Sequence, residues 1–193
     1  MTVQTTSSRV MPTVRGFDLL GGGIKSVQSG TVVFSGSSET SKNISISSVK
    51  YSKSIVLLSV ESSTYNPNLV TFTGHLTSST NLRIQRTTGY SGLSVEVTWT
   101  VIEFDSAYIV QTGEATIGSY EGVSVTVDIS EVDLSKAFLI ASNNLRTTSD
   151  SGPWFFYGKF NSSTQIYLQY GNQSVQSGTA GTKYLRWYVV QIP

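Results

Sequence analysis

One run of residues occurs twice in this chain, and that repetition restricts the fold more than any other feature. Val27-Gln28-Ser29-Gly30 returns as Val110-Gln111-Thr112-Gly113, a displacement of 83 (113 − 30). The same displacement carries Ile46 to Ile129, Val49 to Val132, and Ser52-Lys53 to Ser135-Lys136. Gly74 then maps to Gly158 (158 − 74 = 84), Ser78-Ser79-Thr80 to Ser162-Ser163-Thr164, and Trp99 to Trp187 (187 − 99 = 88). The steps from 83 to 88 fall between predicted strands, where a longer connection costs little. Two copies of one structural unit are therefore expected.

Each copy ends in a strand with a Trp at its middle. The first is Val95 to Phe104 around Trp99, and the second is Leu185 to Ile192 around Trp187. Residues two apart share a face of a strand. Val97, Trp99 and Val101 thus point one way, as do Leu185, Trp187 and Val189. Burying a Trp removes about 150–250 Å² from water, a gross gain of roughly 4–6 kcal/mol at ~25 cal/mol per Å². Trp99 and Trp187 are the expected core centres.

Short alternating runs fill the rest. Val27 to Phe34, Asn43 to Val49, Leu69 to Leu76 and Asn81 to Arg86 read as strands, with Thr77 to Thr80 as a hairpin link. Ser54-Ile55-Val56-Leu57-Leu58-Ser59-Val60 is nearly continuous in apolar residues, which predicts a central strand covered on both faces. The expectation is an all-β chain: two tandem homologous antiparallel β-sandwich domains of about six strands each, over 24–104 and 105–193, behind an extended arm at 1–23. The join at 104–108 is short, so the domains sit against each other.

The arm ends in Gly21-Gly22-Gly23, a hinge without the strand and Lys of a phosphate loop. The arm reads either as a loose tail or as a tether; in the second reading Arg9, Arg15, Phe17 and Leu20 are its candidate assembly residues, with Phe17 and Leu20 docking on a neighbouring subunit. Its first residues lack the apolar core of a signal peptide, which predicts synthesis in the cytoplasm. No apolar run approaches transmembrane length.

Charged residues make up 13% of the chain and the formal net charge is +1. That balance offers nucleic acid no electrostatic footprint. Cysteine is absent, which excludes disulfides, thiolate metal sites and a Cys nucleophile. His75 is the one histidine, so a Ser-His-Asp triad would have to use it. It alternates with Leu76, its counterpart is Lys159, and an exposed surface histidine is expected. Glu96, Glu103 and Asp105 near the Trp strand, and Asp128, Glu131 and Asp133 near one turn, are read as solvated or turn carboxylates. No metal, cofactor or catalytic residue is expected. Loop aromatics are better suited to binding: Tyr65 beside Asn66-Pro67-Asn68, Tyr90 between Gly89 and Gly92, Trp154 within Pro153-Trp154-Phe155-Phe156-Tyr157, and Tyr170 before Gly171-Asn172. Rings beside amides suit sugars and protein interfaces.

The Gly-bearing first strand, the Ser-Lys-Ser-Ile-Val-Leu-Leu strand and the closing Val-x-Trp-x-Val-Ile-Glu-Phe strand together resemble a unit of bacteriophage virion proteins of the tail, fibre and head surface. Strand count and the terminal Trp strand are also similar to the H-type lectin fold. None of those lectins' sugar-contacting residues has a matching position here. The resemblance implies a non-enzymatic virion structural protein on the particle surface, a homotrimer of six sandwiches joined to other virion proteins through its arm. Two roles follow from it: attachment to a host-surface glycan as a tail or fibre component, or decoration of the capsid or tail. A carbohydrate-active enzyme using a carboxylate pair such as Glu96 and Glu103 is the alternative from another class.

Overall fold

The structure, a computed structural model, describes residues 23–35, 39–62, 71–86, 94–117, 124–144, 156–170 and 183–193. The arm residues Arg9, Arg15, Phe17 and Leu20 lie outside them. The described residues form twelve strands: β1 (Ile24–Phe34), β2 (Ser41–Ser45), β3 (Ser54–Ser62), β4 (Thr73–Ser78), β5 (Asn81–Gln85), β6 (Val95–Phe104), β7 (Ile109–Ile117), β8 (Ser124–Asp128), β9 (Ala137–Asn144), β10 (Phe156–Ser162), β11 (Gln165–Tyr170) and β12 (Lys183–Gln191). One 3-10 turn, Tyr51–Lys53, precedes β3. The protein is all-β.

Four antiparallel three-stranded sheets result, in the orders β1-β6-β3, β2-β5-β4, β7-β12-β9 and β10-β11-β8. Adding six to each strand number of the first two sheets reproduces the other two. Both repeats are thus sandwiches of one topology, with the Trp strand at the centre of its sheet. β6 sends Val95, Val97, Trp99 and Val101 inward. They pack with Val32, Phe34, Leu76, Leu82 and Ile84 in the first core. Leu185, Trp187 and Val189 do the same among Ala115, Ile117, Ile166 and Leu168 in the second.

The repeat extends to individual hydrogen bonds. Gln28 Nε2 donates to Ser47 O at 3.0 Å and Gln28 Oε1 accepts from Ser47 N at 2.7 Å. Gln111 and Ser130 repeat both bonds at 2.9 and 2.7 Å. In each repeat this amide ties the first strand to the segment after the second, joining one sheet to the other. Here a side chain takes up backbone groups that leave the ladder when β2 and β8 end.

β3 differs from the expectation of a central strand. It pairs only with β6 and forms the edge of its sheet. Its unbroken apolar run still has both faces in use. Val56 lies opposite Val101 and faces the repeat's own core, whereas Ile55 lies opposite Ile102 on the outer face and is buried there as well. The cover on that side is the second repeat. β7 contacts β3 and the turn before it, and β4 contacts β9 and β12. Tyr188 and Val190, on the outer face of β12, belong to the first repeat's core cluster, with Val110 and Ile140 packed against it. Tyr188 Oη donates to Gly74 O at 3.1 Å in a buried bond. Tyr188 therefore sits where β3 and β4, the edges of the two sheets of repeat 1, run side by side. Lys53 Nζ fixes the connection between the repeats, donating to Ser106 O at 3.1 Å and to Tyr108 O, while Tyr108 stacks on Phe104 with centroids 4.9 Å apart.

Candidate functional site

Each sandwich has two unlike ends. Phe34 pairs with Val95, Ser62 with Val95, Ser41 with Gln85 and Thr73 with Gln85. The strand ends flanking residues 36–38, 63–70 and 87–93 thus share one end of repeat 1. Ile117 with Lys183, Asn144 with Tyr184, Phe156 with Tyr170 and Ser124 with Gln169 do the same for residues 118–123, 145–155 and 171–182 in repeat 2. Tyr65, Tyr90 and Trp154 lie outside the described residues. The strands bracketing them converge on these loop ends. Tyr170 closes β11 at the same end, with its side chain outside the description.

At the opposite end, Gly23 N donates to Asp105 Oδ2 and Asp105 N donates to Gly23 O at 3.0 Å. The chain thus enters repeat 1 at the base, away from the loops.

A cleft of about 440 Å³ separates the repeats. Repeat 1 lines it with Leu58 and Val60 of β3 and with Thr71 and Phe72 just before β4, and repeat 2 with Ile140, Ser142 and Asn143 of β9 and Phe156 of β10. Val60, Thr71, Phe72, Asn143 and Phe156 all sit toward the loop ends of their strands, so both loop ends open onto one cleft. Phe72 and Phe156 are equivalent positions of the two repeats (156 − 72 = 84). Among the described residues β3 and β9 are edge strands of their sheets. The lining combines the half-buried ring of Phe156, the buried Phe72 and aliphatic walls with hydroxyls and an amide. Such a surface stacks apolar faces and hydrogen-bonds neutral polar groups.

The rim of repeat 1 carries a cluster that sequence reasoning missed. Arg86 is buried with its guanidinium 5.2 Å from the Phe34 centroid and 5.9 Å from that of Phe72, and its Nε donates to Glu39 O at 2.9 Å. Burial lowers the Arg86 pKa, against the opposing pull of Glu39. Glu39 accepts from Ser35 N at 2.7 Å and pairs with Lys42 at 3.2 Å. The Ser35 bond, then Lys42 and Arg86, hold the Glu39 carboxyl below its ordinary range against the opposite effect of burial. In sequence Arg86 is only the last residue of an alternating run. Its neighbours come from three other parts of repeat 1.

His75 also departs from expectation. It is half-buried, and its Nδ1 is buried without a hydrogen-bond partner among the described residues. Burial, together with the charges of Arg186 and Arg83, lowers its pKa to about 4. Arg186 belongs to β12, so the second repeat supplies part of the histidine's surroundings. Among the described residues no nucleophile or carboxylate is hydrogen-bonded to it.

Glu103 is buried at the base and does not serve as an exposed strand end. Its Oε1 accepts from Lys25 Nζ at 2.7 Å and Lys50 N at 3.0 Å, and Oε2 from Ser26 Oγ at 3.2 Å. Burial raises its pKa, but the bonds from Lys25, Lys50 and Ser26 outweigh that and leave it lowered. Gln191 holds the equivalent place in repeat 2, accepting from Asp133 N at 2.9 Å. A carboxylate replaced by an amide at the matching site points to a structural brace. Glu96 is exposed on the outer face of β6, while Glu103 points inward, so the two do not form a facing pair. Asp128, Glu131 and Asp133 are exposed, and no group of three metal-ligating side chains occurs among the described residues.

No family model, curated protein or solved structure matches this chain. Among the described residues no helix is long and apolar enough to cross a membrane.

Proposed function

We propose that this protein is a non-enzymatic structural protein of a phage particle surface that uses the cleft between its repeats to hold a neutral host-surface glycan. One observation carries the binding reading: the half-buried Phe156 meets Thr71, Ser142 and Asn143 in a single cleft at the loop-bearing end, with Phe72 buried behind them. Sugars present an apolar face and a rim of hydroxyls, which suits rings beside amides and hydroxyls. Chain direction supports display. The chain enters repeat 1 at Gly23, beside Asp105 at the base, and the cleft lies toward the other end. The virion setting draws its support from the sequence resemblance alone.

A glycan array probed with the full chain, followed by NMR titration of any hit, tests the reading. Binding should weaken at least tenfold in Phe156→Ala and Asn143→Ala. Hits that survive both substitutions, or no hit together with unchanged particle adsorption after gene deletion, would reject it. Binding of the purified chain to empty shells, with adsorption unaffected, would favour decoration instead.

A further inference from the structure

The contact between the repeats is head-to-tail. Repeat 2 offers the outer face of its Trp-strand sheet, through Val110, Tyr188 and Val190, and repeat 1 receives it on the seam between β3 and β4. Because the repeats share one topology, the chain also carries the complementary halves. Repeat 1 has the same outer face, with Val27, Thr100 and Ile102 at the matching positions (110 − 83, 188 − 88 and 190 − 88). Repeat 2 has the same seam, between β9 and β10, with Gly158 in the place of Gly74.

These second halves are uncovered. Ile55 on the occupied seam is 2% exposed, whereas its counterpart Phe138 is 38% exposed. Thr73 is 0% exposed and its counterpart Tyr157 46%. On the face, Val27 is 41% exposed and its counterpart Val110 half-buried, and Ile102 is half-buried where its counterpart Val190 is 0% exposed. Side-chain bulk is also exchanged between the two halves. Within the chain, a large Tyr188 on the face reaches Gly74 on the seam, next to small Thr73. On the uncovered surfaces, small Thr100 is on the face and large Phe138 and Tyr157 are on the seam. Such an exchange would keep the volume of a second contact near that of the first, which is what close packing demands.

We propose that a second copy of this chain fills the β9–β10 seam, using the outer face of its own repeat 1. The occupant follows from the interface already present inside each chain, continued from one chain to the next. Heterologous contacts of this kind close into a ring of chains when the rotation permits. The inference is separable from the glycan reading, since Val27, Phe138 and Tyr157 do not line the cleft.

β7, which carries Val110, contacts β3, which carries Ile55. By equivalence, Val27 of one chain comes close to Phe138 of the next. Both are exposed, so charged replacements leave the sandwiches folded, which circular dichroism checks. Light scattering on the full chain at micromolar concentration should show one discrete oligomer. Val27→Arg and Phe138→Asp should each reduce it to the mass of a single chain. The double variant should recover the oligomer, because Arg then faces Asp across every contact, whereas a face-to-face or seam-to-seam contact would set like charges together. A monomeric wild type, or an oligomer indifferent to both single substitutions, would overturn the proposal.

Discussion

The indole of Trp99 lies over Gly30, its partner across β6 and β1, so closely that a Cβ at that glycine would stand 2.7 Å from Cζ2. Trp187 lies over Gly113, its partner across β12 and β7, in the same way and closer still. The ring occupies the place of the missing side chain. Gly30→Ala and Gly113→Ala must displace an indole from a packed core, at about 1–3 kcal/mol each as for other overpacking changes. Urea unfolding of each variant measures this; a cost near zero would mean that the rings have room to move.

Removing the rings costs more. Trp99→Ala and Trp187→Ala should each destabilise by roughly 3–5 kcal/mol, as large core truncations do. Both side chains are buried at the centre of their clusters. The same unfolding experiment reads the effect, and changes within about 0.5 kcal/mol would be the size of ordinary surface substitutions.

Tyr188 couples the repeats. Burial raises its pKa well above the ordinary tyrosine value, so the hydroxyl stays protonated and donates to Gly74 O. Tyr188→Phe leaves that carbonyl without its donor and should cost about 1–3 kcal/mol. Tyr188→Ala removes the ring from the seam as well and should let the repeats unfold in two thermal transitions, where the wild type is expected to show one. Calorimetry distinguishes the outcomes; one unchanged transition in Tyr188→Ala would show that other contacts carry the coupling.

Acid should act in two windows. The folded pKa of His75 is about 4 against an ordinary 6.5, so the unfolded chain binds the proton first. Stability attributable to neutral His75 is complete above 6.5 and declines as pH falls toward 4. His75→Gln should remove that decline. The Glu103 pKa is lowered from 4.5. Its contribution is present above 4.5 and is lost as pH falls through the lowered folded value. Glu103→Gln should flatten this second window. Denaturation midpoints measured across both ranges test the assignments, and identical profiles for wild type and variants would refute them.

Residue order alone determined the repeat, the twelve-strand plan and the two buried indoles, because strand periodicity and a duplicated pattern are local properties. The apolar run of β3 shows where that reading stops. Sequence registers that both faces of the strand are covered; only the tertiary structure decides that β3 is an edge and that its outer cover is β7 and Tyr188. The same holds for the cleft, for His75 beside Arg186 and for Arg86 between Phe34 and Phe72. These neighbours are distant in sequence, and their meeting depends on how one sandwich seats against the other or how its sheets close. Repetition explains what each half is, and the packing of unlike surfaces between the halves decides which positions remain free to bind.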